Sequence, residues 1–248
     1  MDEVAKQKLI EQNHWYTRSH FRWANKPSIV PIYNERARFF RKCINGLRTK
    51  PDDTINLLDV GCGDGYWLDR LSEDTNLKLS GLDYNELRVQ RLKEKMPDME
   101  IMYGDIFELD INKKYDVVLL NQVIEHVHDD VGLLRKMREL VRPNGSLIIG
   151  TPNEGTYLQM RIIRKKRKNP DWYYDHVHFY KEREIKRKIT EAGFTINRIM
   201  REVCFIGNYR IFYKLTKRRW GFKILQFLTV LFPSQCTDYY FECKPNHK

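Results

Sequence analysis

A chain of 248 residues and 30.0 kDa is long enough to bury one large core and too long to depend on disulfide or metal staples. With 42% hydrophobic and 31% charged residues, 13 Gly and 9 Pro, it is not disordered, collagen-like or of low complexity. The net charge of +11 is unevenly placed: residues 1–50 hold 11 Lys/Arg against 4 Asp/Glu, 51–150 hold 12 against 20, and 151–248 hold 21 against 9. Basic flanks thus enclose an acidic centre, which predicts either a patch for an anionic partner or solvated helix faces.

From residue 55 onward, short apolar runs alternate with helix-period stretches, the pattern of βαβ units around a mainly parallel sheet. Ile55–Val60 reads as the first strand and Leu77–Leu82 as the second, with a helix from Tyr66 between them and another over Glu86–Lys95. Met99–Tyr103 is a short third strand, and Tyr115–Leu120 is a fourth, apolar enough to be covered on both faces. Asp129 or Asp130 can cap the next helix, whose Leu133, Leu134, Met137, Leu140 and Val141 share one side. Arg142–Gly145 reads as a turn into a fifth strand, Ser146–Gly150. A helix over Lys181–Ala192 closes on Gly193, and Phe194–Val203 and Tyr239–Cys243 read as the last two strands.

No apolar run reaches the roughly 20 residues of a membrane span, and the first residues lack a signal peptide's order, so a cytoplasmic protein is expected. The five cysteines are odd in number and include no Cys-x-x-Cys pair, which predicts reduced thiols rather than a disulfide framework or a zinc ribbon.

Asp59-Val60-Gly61-Cys62-Gly63-Asp64-Gly65 falls between the first strand and the first helix, where glycines let backbone N–H groups approach a ligand. Asp83, ending the second strand, is placed to accept from both hydroxyls of a ribose. The third glycine comes two residues after the second, which disfavours a dinucleotide site, and no Gly-Lys-[Ser/Thr] is present for a nucleoside triphosphate.

Leu58–Gly65, with Gly81-Leu82-Asp83, Gly104-Asp105-Ile106-Phe107 and Asp116–Val127, resembles the class I S-adenosylmethionine-dependent methyltransferases over about residues 50–200. The resemblance implies a three-layer α/β/α sandwich of Rossmann-like type, with five parallel strands and a final antiparallel pair. It implies that Asp59 and the loop of Gly61, Gly63 and Gly65 hold the methionine part of the cofactor and Asp83 the ribose, with Cys62 and Tyr84 as further cofactor-binding residues. Asp105 would accept from the adenine amino group, Ile106 would pack the ring, and Asn121 would lie near the methionine end. Residues 1–50 would form a helical lid, 51–203 with 236–248 the core, and 204–235 a basic, apolar insertion. The aromatic run His14–Trp23 is similar to the lid helix of this family.

Asn121–Val127 looks like the branch that includes quinone-biosynthesis O-methyltransferases and methyltransferases of sugars and surface glycans. Metal-dependent relatives carry Glu-x-x-Glu-His; here the first Glu is Gln122, leaving Glu125 and His126 as the good ligands, so no divalent metal is expected. An alcohol acceptor gains from a base that takes its proton, and histidine suits that task. His178 is the first candidate, then His126, with His176 beside them; strand-like alternation would put His176 and His178 on one side. The long connection from Pro152 to Trp172, with its basic run Arg164–Lys168, suits an anionic acceptor. The expected substrate is a hydroxyl of a sugar in a surface glycan or its activated or lipid-linked precursor, the alternatives being a quinone-type phenol or another small metabolite.

Trp220–Phe232, following Lys217-Arg218-Arg219, admits two readings: a helix in a bilayer interface, giving a peripheral membrane contact, or a helix buried against the sheet edge or a homodimer partner. A non-catalytic module binding nucleic acid through the basic flanks is disfavoured, because no aromatic-rich RNA signature or DNA-reading motif is present.

Overall fold

The computed structural model describes residues 20–166 and 175–246. Residues 1–19 of the expected lid, which include the start of its aromatic run, and residues 167–172 of the basic connection lie outside them.

Two helices lead in, α1 (His20–Ala24) and α2 (Val30–Asn45, with Pro31 in its first turn where no amide donor is needed). The chain then runs β1 (Ile55–Val60), α3 (Tyr66–Leu71), β2 (Leu77–Asp83), α4 (Glu86–Lys95), β3 (Glu100–Tyr103) and β4 (Tyr115–Asn121). After a 3-10 turn at Ile124–His126 come α5 (Asp130–Leu140), β5 (Val141–Pro152), α6 (Tyr157–Lys166), α7 (Glu182–Glu191) and β6 (Phe194–Arg201). Two further helices, α8 (Tyr209–Thr216) and α9 (Arg219–Leu231), precede β7 (Asp238–Pro245).

The seven strands form one sheet in the order β3-β2-β1-β4-β5-β7-β6, with β1 to β5 parallel and β7 antiparallel to both its neighbours. Both faces are covered, and β4 shows why its middle, Val117–Leu120, is an unbroken apolar run. Val117 and Leu119 enter the core beneath α2, α3 and α4, while Val118 and Leu120 enter the opposite core with α5 and α7. The reversal of strand order between β1 and β4 opens a crevice at the carboxyl ends of these two strands, the usual ligand position in such sheets.

Local chemistry explains the element ends. The Asp129 side chain accepts from the Gly132 amide to cap α5, and Asn85 and Asn208 cap α4 and α8 in the same way. One boundary departs from expectation. Arg142–Gly145 is not a turn ahead of the fifth strand; β5 begins at Val141 and these residues bulge where its partner strand steps from Tyr115 to Val117. Gly145 lies so close to the Asp116 carbonyl that a Cβ there would sit 2.7 Å from it, so the glycine serves a tight strand approach.

The N-terminal stretch is anchored rather than loosely laid over the domain. Ile32, Tyr33, Ala37, Phe40 and Ile44 of α2 are buried in the core, and Arg36 donates a bidentate pair of bonds to Glu202, at 2.6 and 2.9 Å. All five cysteines, at positions 43, 62, 204, 236 and 243, are free thiols and buried.

Candidate active site

The turn after β1 is built by backbone geometry. Gly61, Gly63 and Gly65 have φ of 76°, 54° and 77°, in the left-handed region that disfavours any side chain. Space is closed as well: a Cβ at Gly61 would collide with Val123, one at Gly65 with Leu92, and one at Gly63 would lie 3.1 Å from the Arg88 guanidinium. Val123, just past β4, therefore seats directly on the glycine loop.

Acidic groups crowd this loop. Asp83 Oδ2 accepts from the Gly63 amide at 2.7 Å and its Oδ1 from the Asn85 amide at 2.8 Å, which leaves each oxygen a second lone pair. Burial raises the Asp83 pKa, and burial followed by the nearby Asp83 charge raises that of Asp59 well above the carboxylate range. Asp59 Oδ2 and Asp64 Oδ1 are buried and accept no hydrogen bond among the described residues. The other oxygen of Asp64 accepts from the His20 amide at 2.9 Å, so α1 closes over the loop. The His20 ring, wedged against Tyr33 and Tyr66, is driven down to about 4 by burial and then by Arg88, and is neutral at physiological pH. The Cys62 thiol is buried in the same turn, and burial, then Asp59, raise its pKa.

Such a set of buried, under-satisfied carboxylates beside a backbone cradle fits a ligand that brings an ammonium group and hydroxyls. S-adenosylmethionine, the cofactor the resemblance implies, carries both. The other residues expected around it are arrayed past the ends of β2, β3 and β4. Tyr84 is half-buried next to Asp83; Ile106 is buried; Asp105 Oδ1 accepts from the Phe107 amide at 3.0 Å; and Asn121 Oδ1 is buried without a hydrogen-bond donor among the described residues.

A second centre lies just beyond Asn121. Gln122 has φ of 57°, alone among described non-glycine residues in that region, and is held there by its amide bond to the Gly150 carbonyl and its side-chain bond to Asp238, at 2.8 and 3.1 Å. The 3-10 turn that follows buries Glu125, whose Oε2 accepts from the Thr151 hydroxyl at 3.2 Å while its Oε1 lacks a donor among the described residues. The Glu125 carbonyl accepts from the amides of Val177 and His178 and so fastens the segment before α7 to the end of β4.

That fastening sets two imidazoles edge to face, His126 and His176, with ring centres 4.6 Å apart. Each has its own carboxylate: His126 Nδ1 lies 3.2 Å from Asp175 Oδ2, and His176 Nδ1 lies 2.6 Å from Glu154 Oε2. Burial opposes the charged form of His126, but Asp175 and Glu125 outweigh it and raise its pKa. Burial likewise raises Glu125 against the pull of His126 and His176. Glu125, His126 and His176 each offer one ligand atom within 4.8 Å of the others, so these three could hold a metal ion. His176 is a third donor that sequence spacing did not bring to the first two.

His178 does not join this pair. Its Nε2 lies 3.1 Å from the His128 carbonyl oxygen and 3.5 Å from Asp130, and its ring stacks on Tyr180, whose hydroxyl donates to Asp130 at 2.6 Å. It belongs to a polar cluster at the start of α5, because the backbone after Val177 follows the 3-10 turn instead of running as a free strand. Glu154 and Gln122 were given no such role from the sequence; their positions arise from β5 and from a backbone conformation that composition does not reveal.

Comparisons with known proteins bear on this site. A family profile described as a methyltransferase domain matches residues 33–199. A protein of Mycolicibacterium smegmatis named as a probable S-adenosylmethionine-dependent methyltransferase is 34% identical over 150 residues, 60% of this chain and 49% of that one. The chain thus spans about half the length of that relative, and 37% of the length of a similarly named protein of Mycobacterium tuberculosis. A ubiquinone biosynthesis O-methyltransferase of Acinetobacter baumannii is 28% identical over 79% of this chain and 83% of its own length. Among solved structures, the magnesium protoporphyrin IX methyltransferase of Synechocystis, with S-adenosylhomocysteine bound, aligns over 99% of this chain and 100% of its own at 14% identity and a TM-score of 0.62. The last likeness is one of fold.

Proposed function

The chain belongs to the methyltransferase-domain family, and from that premise we propose that it transfers a methyl group from S-adenosylmethionine to a hydroxyl of a small acceptor. The observation that carries the hydroxyl reading is the pair of imidazoles, each backed by a carboxylate, just past the strand next to the glycine loop. The bound cofactor would supply an electrophilic methyl on a sulfonium, and the remaining work is alignment and deprotonation.

Asp59, Asp64, Asp83 and Asn121 would bind the ammonium and hydroxyl groups, with the three glycines admitting the ligand against the backbone. His176, its Nδ1 held by Glu154, is the base for the acceptor proton; the Glu154 bond at 2.6 Å fixes the ring's orientation. His126, whose charged form Asp175 and Glu125 favour against burial, would stabilise the oxyanion as it develops.

A quinone-type phenol is the acceptor best supported, since the ubiquinone biosynthesis enzyme of Acinetobacter baumannii matches across most of both chains. A sugar hydroxyl of a surface glycan or of its activated or lipid-linked precursor is the second reading, favoured by the exposed cations Arg164 and Lys165 on α6, which suit an anionic acceptor.

The test separates binding from chemistry. Calorimetry with S-adenosylmethionine should give binding that is lost in Asp83→Ala and retained in His176→Ala. With a catechol acceptor, His176→Ala should lower kcat by about 10²–10⁴, and Glu154→Gln should lower it less. Wild-type kcat in His176→Ala would remove the base assignment.

A further inference from the structure

Between Val203 and Thr237 the chain contains six Lys or Arg and not one Asp or Glu. This segment folds as α8 and α9, which pack on each other and on the core through Phe212, Phe222 and Leu225. The outward side of α9 is apolar. Trp220, Ile224, Phe227 and Leu231 recur at i, i+4, i+7 and i+11 along one line, opposite the buried Phe222, Leu225 and Thr229. Trp220, Phe227 and Val230 are 60%, 62% and 77% exposed, and Phe232 continues the line past the helix end. The solvent side of a helix is ordinarily polar, and a continuous exposed apolar surface marks a site of interaction.

The cations surround this line. Lys217, Arg218 and Arg219 stand at its start, Lys223 beside it, and Arg210 and Lys214 on α8; all six are exposed, and none makes an ion pair among the described residues. We infer that the α8–α9 face seats on an anionic lipid surface, the apolar line entering the interface and the six cations meeting headgroup phosphates. Charge decides against the obvious rival. A second copy of the chain laid on this face would oppose cation to cation, and charged groups are depleted at the centres of protein interfaces.

The 13 residues of α9 span about 20 Å at 1.5 Å per residue, short of the hydrocarbon thickness. It therefore lies in the plane of the interface, and no helix among the described residues is long and apolar enough to cross a membrane. The seated face also connects to the proposed site. The Tyr209 hydroxyl of α8 donates to Gln159 of α6 at 3.4 Å, and α6 begins three residues after Glu154, which holds His176.

Co-sedimentation of the full chain with vesicles tests the inference and does not depend on methyl transfer. Vesicles of phosphatidylcholine with added phosphatidylglycerol should retain the protein at least about tenfold better than phosphatidylcholine alone, and less well as salt rises. The double substitution Phe227→Ser with Val230→Ser alters two exposed side chains, so its melting temperature should stay at the wild-type value while its partition falls about tenfold or more. The inference is overturned if the wild-type chain ignores both vesicles, or if the double variant binds as the wild type does. It is equally overturned if sedimentation equilibrium finds a dimer that the double substitution dissolves and no vesicle binding.

Discussion

His126 sits where burial and two carboxylates compete, and the carboxylates win. Because its folded pKa is raised above the ordinary value of about 6.5, the stability this gives is complete below that value and is lost as pH rises through the raised one. For Asp175 the sign is opposite: its pKa is lowered, as burial is outweighed by His126, so its contribution holds above the ordinary value of about 3.9 and fades as pH falls. Asp175→Asn should therefore cost on the order of 1 kcal/mol between about pH 4 and 6.5, and the gap in melting temperature from the wild type should close above the raised His126 pKa. Melting curves across pH read this directly; a gap that does not vary with pH would refute the pairing. The two halves of the site differ in how far they can be read from the chain. The glycine loop is legible because left-handed backbone at positions 61, 63 and 65 leaves glycine as the fitting residue, and Asp83 follows one strand later. The imidazole pair is not, because His126 meets Asp175 and His176 meets Glu154 only after β4 and β5 have paired. The sequence ranks His178 first and puts it on one side with His176, but the His128 carbonyl, Asp130 and the Tyr180 ring hold it at the start of α5 instead.

At the scale of elements, α2 is locked to the far end of the chain. Arg36 pairs with Glu202 after β6 and approaches Asp238 at the start of β7 to 3.3 Å. Burial resists the charge on Glu202, but Arg36 outweighs it and lowers the pKa; for Asp238, burial and then the Glu202 beside it raise the pKa well above the carboxylate range. Removing the cation leaves two buried carboxyl groups with no counter-charge. Arg36→Ala should cost about 3–5 kcal/mol, seen as an early urea midpoint, and a loss under about 1 kcal/mol would mean that water reaches the pair. This tie also adjoins the strained Gln122, whose side chain reaches the same Asp238, so the strand-end geometry of the site rests partly on α2. Element positions were largely legible, since β4 is apolar on both sides and α7 ends at Gly193 with φ of 85°. The bulge at Arg142–Gly145 was not: Pro and Gly signal a turn in any sequence, and only the register between β4 and β5 shows that the strand begins before it.

For the whole molecule, the alternation of strands and helices foretold a parallel sheet, but not that β7 inserts between β5 and β6. That placement depends on pairing across more than 80 residues of chain, as Leu147 to Cys243 shows, and no local pattern encodes it. Charge asymmetry was legible as composition, and the fold gives it a location: the acidic middle supplies the carboxylates around the glycine loop, and the last third supplies the cations of α8 and α9. Burial of every sulfhydryl gives the molecule an internal clock. A disulfide reagent in excess should react with the native protein only as fast as the chain opens, and position 62 stands apart from the other four because it occupies the glycine turn proposed to receive the cofactor. Local loosening of that turn would expose it first, and S-adenosylhomocysteine at about 100 times its dissociation constant should slow its modification by roughly 100-fold, as it slows any thiol exposed only by global unfolding, while thiols exposed by local openings that leave the ligand bound keep their rate. Mass spectrometry of the modified peptides would follow each one, and a reactivity at 62 that the ligand does not alter would detach the turn from the binding event.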